Sequence, residues 1–421
     1  MANNFDSNFT RKLAKVFLDK FESERVLSKN VNTQLLSGKF GSDTGDTVDF
    51  KRPTDYTSKR TSAGDISGGT RDSIITGKAS GTVQDYFTVD VDFDEADEAL
   101  KMDQLDSLLA PMATRIKTDL ELDFGEFCLK NTALLSGAVG TGVTTWDHVA
   151  GAGAIMQASG VPMDQDWCYF ANPFTQRSLA SNQRSLGGET GSMSANQRAV
   201  ITDNFAGMKV MTATTLPSYT TGVGADRAGT LSGTPTATYL AAKDTMTMSI
   251  AVTAFQANLV VAAGETITVT GRNRLNLSTR KPIVDETGAQ ILFSGTVTAA
   301  VTLNGSGAGT LVITGPGVYE LDGAFNTVDS ALTSGDVVTL GGAASTLIQP
   351  NLFWHKQAFG IGSVPIKKLY STDTIATTED GLQFRVSKYA NGDANKQIVR
   401  FDFRPAYAVL NPFFAGKSFG G

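Results

Sequence analysis

The chain has 421 residues, with 36 Lys and Arg against 42 Asp and Glu, a formal net charge of −6 and a pI near 5.1. That length allows two or three domains with separate cores, and the acidic balance argues against a dedicated nucleic-acid binder, which needs a basic surplus to neutralise phosphates. A hydrophobic content of 41% excludes global disorder, and the two cysteines, Cys128 and Cys168, stand in no metal spacing and suggest a reducing compartment.

Residues 7–26 form the first amphipathic segment. Leu13, Phe17 and Phe21 recur every fourth residue, while Arg11, Lys12, Lys15 and Lys20 fall largely on other faces. The spacing predicts a helix, docked either on its own domain or on another chain. The start of the chain has no continuous apolar core of signal-peptide length, and no apolar run approaches the ~18 residues of a membrane span. Residues 36–93 then change character. Two strand-like runs, Thr47–Arg52 and Thr82–Phe93, flank a stretch rich in turn residues. They read as one long hairpin arm, and a neighbouring copy for the arm to reach would explain its length.

A short helical piece, Asp103–Leu109, precedes the strongest helix, 111–130. Pro111 suits the first turn of a helix. Met112, Ile116, Leu120, Phe124 and Cys128 form one stripe at four-residue spacing, so Cys128 reads as a buried small hydrophobe. Residues 144–215 alternate helix and strand. Thr145 starts a helix, Asp166–Ala171 is a strand, Asn172-Pro173 opens another helix, and Gly207–Ala213 is a strand.

Residues 218–347 have a different composition. Only 15 of these 130 residues are charged, against 63 of the other 291. The segment has no helical period. Thr245–Thr253, Glu265–Thr270, Ile291–Leu303 and Thr310–Tyr319 are strand candidates, with a turn at Asn304-Gly305. Such spacing predicts a small β-barrel or sandwich set into an α+β host. Its basic residues Arg272, Arg274, Arg280 and Lys281 lie near Asp285 and Glu286. They read either as a solvated loop or as a salt-bridge loop between subunits, with Lys243 and Asp244 as the next candidates. After residue 347 the host pattern returns in Phe353–Ile361, Gln383–Val386, Gln397–Phe403 and Ala406–Leu410, the last two divided by Arg404-Pro405.

No catalytic, cofactor or metal constellation emerges. The two histidines, His148 and His355, have no second His or Cys near them in sequence, and both read as structural. The segment TGKAS at 76–80 lacks both the earlier glycine and the Ser or Thr of a phosphate loop. Asp92, Asp94, Glu95, Asp97 and Glu98 lack calcium-loop spacing and read as an acidic helix entry.

Several stretches, in this order, resemble the major capsid proteins of short-tailed, double-stranded-DNA bacteriophages. They are TGDTVDFKRP at 44–53, GDISG at 64–68, QLDSLLAP at 104–111, PNLFWHKQAFGIGSVP at 350–365 and KYANGDANKQIVRFDFRPAYAVLNP at 388–412. The likeness is to the Shigella and Salmonella phage type, an α+β tailed-bacteriophage capsid fold with an inserted all-β barrel domain. The resemblance implies an N-terminal arm at 1–35, an extended loop at 36–93 lying on the next subunit, and a peripheral domain with a spine helix at 94–144. It implies an axial domain at 145–217, the insertion at 218–347, and the rest of the axial and peripheral domains at 348–421. It also implies hexamers and pentamers closing an icosahedral shell, with a scaffolding protein, a portal protein and packaged dsDNA bound without sequence specificity. Neither an enzyme nor a membrane protein is implied, and the place of the protein is the virion, after assembly in the host cytoplasm. Within that scheme Leu13, Phe17, Phe21, Lys12 and Lys15 are candidates for docking scaffold or an adjacent subunit. A bacterial nanocompartment shell of the same fold is the alternative. A secreted adhesin and an enzyme are further classes, disfavoured by the missing signal segment and the missing constellations.

Overall fold

The computed structural model describes residues 5–41, 44–69, 71–94, 105–164, 166–185, 204–235 and 237–421. The expected acids Glu95, Asp97 and Glu98 and residue Asp103 lie outside the described residues. The fold is mixed α+β, and the chain divides into two compact units.

The first unit draws on Met1–Asp49, Ser80–Gly125 and Phe359–Val409. Its N-terminal helix, Phe5–Glu24, packs on a four-stranded antiparallel sheet in the order Thr374–Thr377, Gln383–Asn391, Lys396–Phe403, Phe87–Asp94. Alternation explains the contact. Phe384, Phe401 and Phe403 point to one face of the sheet, and Phe17 stacks on Phe401 with ring centroids 4.7 Å apart. Phe21 meets Phe384 and Phe403 at 6.0 and 5.9 Å. Burying each such ring contributes roughly 1.5–3 kcal/mol, and the aromatic geometry adds to it.

A second four-stranded sheet runs Thr47–Lys51, Lys78–Val83, Pro405–Val409, Phe359–Ser363. The expected strand 82–93 is therefore two strands. Thr82 pairs with Tyr407, and Phe87 with Phe403, so the chain changes sheets around Asp85. The partner changes sheets at Arg404-Pro405, where proline has no N–H to continue the ladder. Likewise Phe353–Ile361 is not one strand. Asn351–His355 belongs to the second unit and Phe359–Ser363 to the first.

The long helix is continuous from Leu105 to Lys130, with Pro111 inside it rather than at its start. Proline forfeits one hydrogen bond to the preceding turn. The stripe Met112, Ile116, Leu120, Phe124 and Cys128 is buried throughout.

The second unit draws on Phe50–Ala79, Glu126–Ala358 and Leu410–Gly421. It contains a six-stranded mixed sheet in the order Leu134–Ser136, Ala415–Ser418, Asn351–His355, Trp167–Ala171, Met208–Thr212, Asn204–Phe205. The two central strands, NLFWH and WCYFA, are buried at every position, as strands covered on both faces are. Helices Trp146–Ala158 and Pro173–Ser185 accompany this sheet.

Six further strands close into a barrel: Thr247–Thr253, Gly309–Thr314, Leu292–Val297, Thr266–Asn273, Val337–Leu340 and Ala228–Leu231. Every pairing is antiparallel, and alternate residues such as Met248, Ile250 and Val252 fill the interior with Ile267, Val269, Phe293, Leu311 and Ile313. Closure leaves no open sheet edge. The chain enters and leaves this region side by side, because Tyr219–Thr220 pairs with Leu347–Ile348. One helical turn, Tyr239–Ala242, sits in the segment that showed no helical period. Four residues are too few to establish a periodicity. The expected strand Ile291–Leu303 is two, Leu292–Val297 and Val301–Thr302. In the turn that follows, the Asn304 side chain accepts the N–H groups of Ser306 and Ala308, and Gly307, rather than Gly305, takes the positive φ of 66°.

Candidate functional site

The candidates to place are the N-terminal helix, the arm and the charged residues of the barrel region. The N-terminal helix carries the first candidates. Its apolar stripe is consumed within the first unit, where Leu13, Phe17 and Phe21 are 1%, 2% and 0% exposed. Thr10, on the same helix, donates its hydroxyl to the Thr372 carbonyl at 3.1 Å and accepts from the Thr374 hydroxyl at 2.8 Å. The stripe is thus not a free docking surface, which corrects that part of the sequence reading. The sheet's phenylalanines are apolar enough to bury it. The exposed face presents Arg11, Lys12, Lys15 and Lys20 with Asp19.

A buried carboxylate fixes the chain just beyond this helix. Glu121 accepts the backbone N–H groups of Val26, Leu27 and Ser28 at 3.2, 2.7 and 3.0 Å, together with the Ser28 hydroxyl. The position was legible in principle, because Glu121 shares a helix face with Phe124 and Cys128. Arg25 pairs with Asp380 and lies 5.1 Å from the Phe21 ring. Across the sheet, buried Asp402 joins Arg385, Arg400 at 2.7 Å and Thr88 at 2.8 Å.

The cations expected as one group in the barrel region go to separate partners. Arg272 grips Asp336 with two hydrogen bonds of 2.7 Å and also donates to Ser330 and Thr333. Arg274 turns inward and is 3% exposed. It donates to the carbonyls of Ala133 and Ser294 at 2.8 and 2.7 Å, and burial pushes its guanidinium down to about 10. It therefore offers no surface charge, a second correction. The strand ends at Asn273 after a register shift, so simple alternation no longer places residues 272 and 274 on one face. Arg280 donates to Asp55 at 2.6 Å and to the Asn326 carbonyl at 2.8 Å. Asp244 accepts the Lys78 N–H at 3.1 Å and lies 3.0 Å from the Lys243 ammonium. The arm's distal residues Asp55 and Lys78 thus engage Arg280 and Asp244 of their own chain, and Lys281 is left exposed.

A polar seam joins the barrel to the six-stranded sheet within the second unit. Lys417, on the strand Ala415–Ser418, is 1% exposed. Its ammonium donates to the Gly264 carbonyl at 2.6 Å and to the Thr296 and Thr266 hydroxyls at 3.1 and 3.5 Å, and it lies 5.6 Å from the Tyr219 ring centroid. Burial pushes Lys417 down to about 7, opposed by the nearby Glu265 carboxylate. Glu265 itself pairs with Arg227 and accepts the N–H groups of Gly222 and Ala262 at 2.6 and 3.0 Å. Alongside, Thr132 and Thr296 hydroxyls meet at 3.3 Å, and the Leu277 N–H donates to the Ser159 carbonyl at 3.0 Å. Sequence reasoning missed Lys417. Its one signal is that it is the sole charged residue between Pro405 and the last residue.

The histidines have local roles. His355 is buried, with Nε2 2.8 Å from Asp164 and Nδ1 accepting the Gln357 N–H at 3.1 Å. His148 Nδ1 accepts the Thr144 N–H at 3.2 Å. Cys128 and Cys168 are both buried, and burial raises the Cys168 thiol to about 11. Among the described residues no three His, Cys, Asp or Glu side chains converge as a metal site, and Asp92 pairs with Lys396 at 2.5 Å.

Comparison with known proteins gives these surfaces a setting. The family model described as P22 coat protein, gene protein 5, matches residues 1–421. A major capsid protein of Acyrthosiphon pisum secondary endosymbiont phage 1 is 36% identical over 424 residues, covering 100% of both chains. Among solved structures, one from Mycobacterium phage Che8 has a TM-score of 0.48 at 13% identity and covers 94% of this chain and 90% of its own. One titled as the capsid of Ralstonia phage GP4 has a TM-score of 0.41 at 9% identity, with coverages of 90% and 84%. With its whole length matched by the family and by a relative above a third identical, the chain belongs to the P22 coat protein family.

Proposed function

We infer that this chain is the major capsid protein of a phage and that its copies build an icosahedral shell. The observation that carries this is the family match from the first residue to the last. A nanocompartment shell is not favoured, because the relatives found by sequence are coat and capsid proteins. The role is structural, without catalysis: copies recognise copies, and closed symmetry makes individually weak contacts cooperative.

The finer reading is a capsid of the Shigella and Salmonella short-tailed type. It has an N-terminal arm at 1–35, an extended loop at 36–93, a peripheral domain at 94–144, an axial domain at 145–217 and 348–421, and an inserted barrel domain at 218–347. Closure of the barrel and the side-by-side entry and exit at Tyr219–Thr220 and Leu347–Ile348 support the insertion. Hexamers and pentamers would surround dsDNA, with a scaffolding protein inside the precursor and a portal at one vertex, assembled in the host cytoplasm. The exposed basic face at Lys12 and Lys15 suits an acidic segment of scaffold or of an adjacent subunit. Around the barrel, Lys281 and the partly exposed Arg272, Arg280, Lys243 and Asp244 remain the candidates for contact between capsomers.

Co-expression with a candidate scaffolding protein tests the assignment. Closed particles in the megadalton range are expected by sedimentation and negative-stain microscopy. Monomers and dimers alone under those conditions would overturn the shell reading.

A further inference from the structure

The seam between the barrel and the six-stranded sheet is polar and carries buried cations. Two cations cross it in opposite directions. Lys417 reaches from the sheet strand to Gly264, Thr266 and Thr296 of the barrel. Arg274 reaches from the barrel to the Ala133 carbonyl beside the first strand of the sheet. Among the described residues neither forms a direct ion pair. Lys417 lies near Glu265 and the Tyr219 ring, but Glu265 is itself paired with Arg227, and the atoms that accept from the ammonium are the neutral oxygens of Gly264, Thr266 and Thr296. A buried cation held only by dipoles is costly to keep charged and is relieved by losing its proton or by regaining water. The barrel has its own closed ladder and its own apolar core, so it can regain that water by lifting from the sheet without opening its strands.

We propose that Lys417 is a proton-controlled latch that fastens the barrel to the sheet and releases it as a rigid body when the amine is charged. The amine has an ordinary value near 10.5 when released and about 7 when docked. Between those values the released state binds more protons than the docked state, so docking strengthens as pH rises and levels off below about 7. Arg274 stays charged throughout neutral pH and supplies the constant part of the seam.

The Leu277 N–H is a built-in reporter, because it crosses the seam to Ser159, whereas the ladder between Thr247–Thr253 and Gly309–Thr314 lies wholly in the barrel. Hydrogen exchange of the full-length monomer is measured from about pH 6 to 9 and corrected for intrinsic rates. The Leu277 amide is expected to open about tenfold more for each pH unit descended toward 7, then to level off, while the ladder stays protected. Lys417→Met and Lys417→Arg, neither of which titrates in this range, should each flatten the profile. A wild-type profile without pH dependence, an unchanged profile in either folded variant, or Leu277 opening only together with the ladder would overturn the proposal. A flat wild-type profile overturns the proposal even if neither variant folds, and the experiment needs no shell.

Discussion

Two buried seams in this chain solve the same problem with opposite chemistry. In the first unit the N-terminal helix lies on its sheet mainly through phenylalanines, Phe17 stacked on Phe401 and Phe21 tilted against Phe384 and Phe403, a largely apolar contact whose strength scales with apolar area. In the second, the barrel meets the sheet through Lys417, Arg274 and paired threonines, a polar contact whose strength depends on satisfying every donor. The first can be broken only by exposing oil to water. The second can be weakened by a proton. The lesson is that burial alone does not tell how permanent a contact is.

The largest expected effect comes from the apolar seam. Phe17→Ala leaves a void between Phe21, Phe384 and Phe401 and should destabilise the first unit by about 3–5 kcal/mol at any pH, read as a lowered urea midpoint. A change below about 1 kcal/mol would show that the helix is not held by its stripe. Next is Glu121→Ala, which orphans the N–H groups of Val26, Leu27 and Ser28. A loss of about 2–4 kcal/mol is expected, with faster exchange of those amides first. Glu121→Gln keeps one acceptor oxygen and should lose less.

The polar seam should respond more modestly and with a pH signature. Lys417→Met removes a buried charge as well as its hydrogen bonds, so the two terms oppose one another. Near pH 7 the net change is expected to stay within about 2 kcal/mol, in contrast to Phe17→Ala. Wild-type stability should gain on the variant as pH rises from 7 toward 10, measured by denaturant titration at each pH. A smaller effect still is expected from Arg272→Glu, which sets a carboxylate against Asp336 at a site only partly screened from solvent. A loss of about 1–2 kcal/mol that deepens at low salt is the expected outcome. At the foot of the scale, Lys12→Glu with Lys15→Glu should change monomer stability by less than about 0.5 kcal/mol, because both side chains are exposed. The same pair should reduce incorporation of scaffold into particles. Normal particles with normal scaffold content would remove the docking role from this helix altogether.

Much of the architecture was readable where periodicity ran long. Phe5–Glu24 and the stripe through Phe124 follow from four-residue spacing, and the barrel strands from alternation in a segment depleted of charge. Reading failed where a run crosses from one sheet to another. Thr82–Phe93 and Phe353–Ile361 look like single strands because both halves are apolar-patterned, and nothing local says that the ladder partner changes. It failed again for Arg272 and Arg274, whose spacing suggested one cluster, because a shift in pairing sends one outward to Asp336 and the other inward to Ala133.

What the sequence determined by itself is which segments are apolar on one face and therefore must be covered, since hydrophobic periodicity is a property of the chain alone. That requirement already implied an amphipathic helix near the start of the chain and a β module, barrel or sandwich, at 218–347, while the family likeness rested on particular stretches such as those at 350–365 and 388–412. What covers each face, and where the isolated charges go, was decided only by tertiary structure. Leu13, Phe17 and Phe21 could have met another chain but meet Phe384 and Phe401 instead, and Lys417 could have been a surface lysine near the C-terminus but lies under Tyr219 and Gly264. The reason is physical: a side chain's partners across the fold come from residues distant in the chain, and no local pattern encodes the distance at which they will meet.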